Sequence, residues 1–539
     1  MKKICFALLS LLILGSAGCK KTIKDTAAQK SDPFCSAPVK TESGLVKGLA
    51  ESDTKTCVWR GIPYAAPPVG ELRWKAPQPT KTWEDVRDGS VWGARCMGMG
   101  GMVMKHFDQD PSGKMSEDCL YLNIWRPKKE GKFPVMLWIH GGGYMMGTAN
   151  TPVYWGGKLS QSGDVVVVSI NYRLNYFGFM ALPALRDEDP NKSVGSYGSL
   201  DQVAALKWVK ANIAAFGGDP QNVTVFGESA GGMSVCTLLA SPLATGLFER
   251  AIIESGPCRV GAPLEKSFER GKLAARAWGC GPDDLECLRS VPACKIISPR
   301  RARHRGMFMP AQDGYFLDGN AIDIIRSGKF NKVPLIAGFN RDEFSAFARL
   351  AHEKLRRSGP EAYQKKIAAL FSLDKKDAEK AIKLYPVSDY DNQVINAYGR
   401  MISDIFIICP TYHGLEAAAD HQVDAYLYRF DYDDFRMGNR IGAMHAMELP
   451  FVFDNFQQFK FVFRRENLKK AEPLSKIFQA YWTNFAKTGN PNGPGLPEWP
   501  KFDPKDQKLL VLDEQVKVES AGLSDRCKFW EEHKSRLDW

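Results

Sequence analysis

The residues best suited to chemistry fall into three groups in a fixed chain order. In VTVFGESAGG (223–232), Ser229 stands between Gly227 and Gly231, straight after an apolar run and straight before a helix-like one. A serine on a sharp turn from strand to helix exposes its Oγ as a nucleophile. The glycines let the two elements approach, and the helix start brings the positive end of its dipole beside the reacting oxygen. The five-residue pattern alone arises by chance in about one of four chains of this length, so a glycine turn that merely contains a serine is the bland alternative. A second group speaks against it. His140-Gly141-Gly142-Gly143 directly follows the apolar run FPVMLWI, and a glycine loop there can aim several backbone N–H groups at one developing oxyanion.

A nucleophilic serine needs a base, and the base needs an acid to orient it. After this kind of turn the chain order is serine, acid, histidine. Sites in parallel sheets form beyond the carboxyl ends of the strands. The run VPLIAGFN (333–340) ends directly before Arg341-Asp342-Glu343, so Asp342 or Glu343 is the acid. Five histidines lie beyond them: His352, His413 and His421 in helix-like stretches, His533 in a charged tail, and His445 in IGAMHAMELPF. That last segment joins the strand-like AYLYRFDY to the helix-like PLSKIFQAYWTNFAKTG, which makes His445 the expected base. The reaction would be acyl transfer through a covalent intermediate on Ser229. It requires no metal or organic cofactor, and neither an HExxH motif nor a dinucleotide fingerprint occurs in the chain.

The elements that must position these residues alternate. FPVMLWIH (133–140), DVVVVSINY (164–172), NVTVFG (222–227), RAIIESG (250–256), VPLIAGFN and AYLYRFDY (425–432) are short, β-branched apolar runs. Between them, LDQVAALKWVKANIAAFGG (200–218) spaces Leu200, Val203, Leu206, Val209, Ile213 and Phe216 by three or four, the period of a helix closed by its glycines. AGGMSVCTLLAS (230–241) reads as a second helix. Such alternation predicts a mostly parallel sheet covered by helices on both faces. No linker divides residues 35–539, which are expected to form one domain, with 257–330 and 345–420 as less regular insertions over one end of the sheet.

The chain opens with MKKICFALLSLLILGSAGCKK: two lysines, a short apolar run, small residues, then Cys19. Residues 1–18 read as an export signal too short to span a membrane comfortably. Ser16-Ala17-Gly18-Cys19 resembles a bacterial lipoprotein cleavage box, with Cys19 the lipid site, although Ser16 stands where such boxes usually carry Leu. Residues 19–34 read as a polar tether. Export to the cell envelope permits disulfides. Of thirteen cysteines, Cys5 leaves with the signal and Cys19 takes lipid, so at least one of the others is unpaired. Cys236, inside an apolar helical run, is expected as a buried free thiol. The net charge of +11 is dispersed and gives no nucleic-acid footprint. RRARHR (300–305) is expected as a solvated loop rather than a contact to anionic lipid.

With these motifs in view the chain resembles the type B carboxylesterases, the α/β-hydrolase family that also contains the cholinesterases. The resemblance covers about residues 37–531 and is carried by FGGDPQNVTVFGESAGG (216–232), EDCLYLNIWRP (117–127), RGIPYAAPPVGELRW (60–74), NYRLNYFGF (171–179), NRDEFSAF (340–347), MHAMELPFVF (444–453) and YWTNFAKTGNPN (481–492). It implies an α/β-hydrolase fold and a triad of Ser229, Glu343 and His445. It also implies an oxyanion hole of the Gly142, Gly143 and Ala230 amides, with Glu228 as a carboxylate that tunes the site. The family's disulfides fall on Cys96–Cys119, Cys280–Cys287 and Cys409–Cys527; Cys35–Cys57 is a further expected pair. One departure bears on substrate. In cholinesterases the loop matching 96–119 carries a tryptophan that binds choline; here it carries Met97, Met99, Met102 and Met104, which suit varied apolar groups. The expectation is an enzyme for neutral, moderately apolar small-molecule esters. A catalytically silent binding or adhesion protein is the alternative, and retention of all three triad residues argues against it.

Overall fold

A computed structural model describes residues 32–98, 110–298, 307–351, 355, 359–460 and 462–536. Cys19 and the export and tether segments, Met99, Met102, Met104, RRARHR and His352 lie outside the described residues.

An 11-stranded sheet forms the centre. In chain order its strands are β1 (Leu49–Glu51), β2 (Thr56–Pro63), β3 (Tyr121–Pro127), β4 (Phe133–Ile139), β5 (Val166–Ile170), β6 (Gly218–Glu228), β7 (Arg250–Glu254), β8 (Leu335–Asn340), β9 (Ala425–Phe430), β10 (Lys508–Leu512) and β11 (Lys517–Ser520). Across the sheet the order is β11-β10-β9-β8-β7-β6-β4-β5-β3-β2-β1. From β10 to β5 every neighbouring pair is parallel; β11 at one edge and β3, β2 and β1 at the other are antiparallel. The fold is the expected α/β-hydrolase fold. All six strand-like runs read from the sequence lie in its parallel part.

Alternation along each strand divides the core between two faces. In β4, Val135, Leu137 and Ile139 join one apolar cluster, while Met136 and Trp138 join the other. Helix α1 (Tyr197–Asn212) and helix α2 (Ala230–Ala240) cover the first face; helix α3 (Arg465–Thr488) covers the second with Phe478, Tyr481, Trp482 and Phe485. The six apolar positions expected on the first helix are all buried. Its last turn tightens into a 3-10 helix, Ile213–Phe216, closed by Gly217 at φ 75°. Arg173, at the end of NYR, anchors this helix: its Nε and Nη2 reach Asp201 at 2.8 and 2.7 Å. Both side chains are buried, so removing either one costs about 3–5 kcal/mol.

Three expectations change. Helix α3 starts at Arg465, well before Pro473, and runs through that proline. The described residues of 345–420 are not irregular. Helices Pro360–Phe371, Lys375–Leu384 and Val394–Ser403 build their own core around Tyr363, Phe371, Tyr385 and Tyr398, closed by Phe529 and Trp530 of the C-terminal helix. Helix Cys409–Ala419 belongs instead to the first face of the main sheet. Finally, Cys236 is not a free thiol but pairs with Cys258. Burial does not separate the two states, because a half-cystine in a helix against a strand is as hidden as a thiol. Helix α2 packs on β7, and Cys258 follows β7 by four residues. The expected pairs Cys35–Cys57, Cys96–Cys119, Cys280–Cys287 and Cys409–Cys527 are all formed, and Cys294 is the exposed free cysteine among the described residues.

Candidate active site

Because β4, β6, β7, β8 and β9 are parallel, the segments after their carboxyl ends converge on one side of the sheet. These are His140–Gly143 after β4, Ser229 after β6, Ser255 after β7, Glu343 after β8 and the His445 loop after β9.

Ser229 adopts φ 57°, ψ −120° between β6 and α2, a conformation that strains any residue with a Cβ. The flanking glycines are needed for space. A Cβ on Gly231 would lie 1.9 Å from the Ile139 carbonyl oxygen, and one on Gly227 would lie 2.6 Å from the Gly231 carbonyl carbon. The turn is pinned by the Ser229 N–H, which donates to the Glu254 carbonyl at 2.9 Å. The glycine loop abuts it: a Cβ on Gly141 would fall 3.1 Å from Ser229 Cβ and 2.7 Å from Glu228 Oε2. Gly142 and Gly143 take φ 110° and 63°, which glycine adopts without penalty. His140 is buried, stacks on Tyr172 and contacts the Gly141 carbonyl through Nδ1 at 2.8 Å. Burial lowers its pKa to about 4, so it is a neutral part of the loop's support.

Of the two candidate acids, Glu343 meets His445. Its Oε2 lies 2.6 Å from His445 Nδ1. Its Oε1 accepts from the Ser255 hydroxyl at 2.6 Å and from the Asn340 N–H at 2.7 Å. Asp342 turns away and accepts from Arg341 and the Ala443 N–H. The other described histidines are engaged elsewhere: His413 with Glu416, His421 with the Arg326 carbonyl, His533 with Asp377. Phe344 lies nearly parallel to the His445 ring, with centroids 6.2 Å apart.

The Nε2 side of His445 faces Glu228, whose Oε1 is 3.1 Å away. That oxygen has no hydrogen-bond partner among the described residues. Burial alone would lower the His445 pKa, but the Glu228 and Glu343 carboxylates outweigh it and raise the value to about 10. Burial raises Glu228 to about 7, opposed by His445 and assisted by Glu343.

Sequence reasoning missed three participants. Ser255 is the residue after β7 that donates to Glu343. Glu254, the register neighbour of Glu228 on the adjacent strand, is fully buried, and its Oε1 takes the Trp482 indole N–H at 2.7 Å. Burial raises its pKa to about 8 against that hydrogen bond. Glu448, one turn beyond His445, is buried too; its Oε2 accepts from Asn340 Nδ2 at 2.5 Å, and burial followed by the charges of Glu228 and Glu343 raises its pKa. The signal for Glu254 was available: alternation places it on the buried face shared with Ile252.

The sequence profile described as the carboxylesterase family matches residues 36–530. The chain is 37% identical over 497 residues to the para-nitrobenzyl esterase of Bacillus subtilis (strain 168), covering 90% of this chain and 97% of that protein. It is 34% identical over 529 residues to a cholinesterase of Mus musculus, covering 91% and 88%. A solved para-nitrobenzyl (PNB) esterase structure superposes with a TM-score of 0.79 at 35% identity, covering 92% of this chain and 99% of that one. The chain belongs to the carboxylesterase family and is a carboxylic ester hydrolase.

Proposed function

We propose that Ser229, His445 and Glu343 form the catalytic triad of this esterase. The observation that carries the reading is the 2.6 Å contact of Glu343 with His445 Nδ1, on the side of the sheet where Ser229 sits in its strained turn. Ser229 attacks the ester carbonyl while His445 takes its proton; Glu343 fixes the ring and stabilises the imidazolium. The Gly142, Gly143 and Ala230 amides hold the oxyanion. His445 then protonates the leaving alcohol, and water repeats the sequence on the acyl-enzyme. The negative charge of Glu228 beside Nε2 favours the imidazolium of each transition state.

The substrates are neutral, moderately apolar esters, in keeping with the methionines of the 96–119 loop. The protein is exported and held at the cell envelope through lipid on Cys19, with Lys20 at the next position favouring the outer membrane. Mass spectrometry of the mature N-terminus tests this: a lipid-modified Cys19 supports it, and an unmodified terminus removes the anchor. For the triad, Ser229→Ala and His445→Ala should each lower kcat by about 10⁴ or more in folded protein, and Glu343→Gln by less. Near wild-type turnover in folded Ser229→Ala would refute the reading.

A further inference from the structure

Asp342 has the spacing of a catalytic acid yet does not touch His445, and what it does instead is structurally specific. Two loops meet at the site: 340–345, which carries Glu343, and 441–446, which carries His445. The Asp342 N–H donates to the Ala443 carbonyl at 2.9 Å, and the Ala443 N–H donates back to Asp342 Oδ2 at 3.1 Å, closing a ring. The Asn340 Nδ2 donates to the Met444 carbonyl at 2.8 Å, the His445 N–H donates to the Glu343 carbonyl at 3.2 Å, and the Ser345 hydroxyl donates to the Ile441 carbonyl. The Asp342 carboxylate is itself held by Arg341 Nε at 2.8 Å, and the same guanidinium reaches Asp433 at 2.5 Å.

The loop so held is not relaxed. Ala446, the residue after His445, has φ 66° and Gly442 has φ 60°. Positive φ at a residue with a side chain persists only where surrounding contacts over-determine it. At Gly442 the missing side chain is the other half of the contact: a Cβ there would fall 2.1 Å from Asp342 Oδ2. The carboxylate fills the space that a side chain at 442 would take.

We propose that Asp342 is a positioning residue for His445, and that Gly442 is its counterpart: together they set the path of the base-bearing loop. This inference rests on the triad proposed above. It assigns Asp342 no contact with substrate. Its effect on rate comes from geometry, since displacing a catalytic group by about 1 Å can cost on the order of 100-fold.

The test measures kcat per active site, with sites titrated by a p-nitrophenyl organophosphate so that misfolded protein does not count. Asp342→Ala should lower kcat per site by about 10–100-fold with KM changed much less. Asp342→Asn keeps a side-chain oxygen for the Ala443 N–H and should lose less. Gly442→Ala should be at least as damaging as Asp342→Ala, because its Cβ collides with the carboxylate and its backbone conformation is one that only glycine adopts freely. Wild-type kcat per site in Asp342→Ala would overturn the inference, as would Asp342→Asn and Asp342→Ala falling equally. If Asp342→Ala does not fold, Asp342→Asn and Gly442→Ala carry the test: wild-type kcat per site in both overturns the inference. A wild-type enzyme whose sites do not titrate at Ser229 would instead sink the triad on which the inference rests.

Discussion

Replacing Glu228 with Gln tests the electrostatics of the site with almost no change of shape. Glu228 Oε1 lies 3.1 Å from His445 Nε2. Two unit charges at that distance attract by about 1.3 kcal/mol even at the dielectric of water, and by about 5 kcal/mol at an effective dielectric of about 20. One pKa unit is about 1.4 kcal/mol, so losing the charge should lower the His445 pKa by about one unit at the least. The direction follows from the base role proposed for His445. The reactive form of His445 is neutral, the Glu228 carboxylate favours the charged form and raises the pKa, and its removal frees the base at lower pH. The acid limb of kcat/KM should therefore move down by about one unit or more, and the plateau should drop about tenfold because the transition-state imidazolium loses the same attraction. The assay is hydrolysis of p-nitrophenyl butyrate over about pH 6–11, with wild type and variant in the same buffers. Superimposable acid limbs would refute the reasoning, since they would mean that no charge on Glu228 reaches the base.

Other consequences are as direct. Ser229→Gly should abolish turnover yet stabilise the fold by about 1–2 kcal/mol, seen as a raised Tm, because only glycine is unstrained at φ 57°. Glu254 binds a proton on folding, with its pKa raised from 4.5 to about 8. The stability this confers is complete below pH 4.5 and is lost as pH rises through about 8. Glu254→Gln cannot ionise, so its Tm should gain on wild type between about pH 5 and 9, by up to a few kcal/mol of stability; a constant difference would be the contrary result. A tryptophan face can contribute about 2 kcal/mol to binding a quaternary ammonium, roughly thirtyfold in kcat/KM. Lacking that tryptophan in its 96–119 loop, the enzyme should not prefer acetylthiocholine over an uncharged thioester of similar size, and a preference well above about tenfold would contradict this.

What could be read in the sequence was what local pattern determines. The turn at Ser229 is a strand, two glycines and a helix within a few residues, and each part has its own signature. Glu343 and His445 were accessible because strand ends fix where loops emerge, although only resemblance chose Glu343 over Asp342. Contacts between distant segments decided the rest. The antiparallel edge of β1, β2 and β3 was not read, since β2 pairs with β3 some sixty residues on, as in Trp59 with Ile124. Pairing of Cys236 with Cys258 depends on how α2 lies on β7. The approach of His445 Nε2 to Glu228 depends on the whole path of residues 431–446, which no single residue signals. Glu448 escaped notice because a carboxylate in sequence reads as surface and only burial shows it behind the site, whereas alternation along β7 already put Glu254 on a buried face.

The account stands most directly on covalent chemistry at one atom. Wild-type protein mixed with p-nitrophenyl diethyl phosphate should release a burst of about one p-nitrophenol per chain and lose ester hydrolysis in step. Peptide mapping should find the diethylphosphoryl group on Ser229 alone, and Ser229→Ala should show neither burst nor adduct. Full hydrolytic activity after the reagent has reacted, or an adduct on any other residue with Ser229 unmodified, would contradict the account.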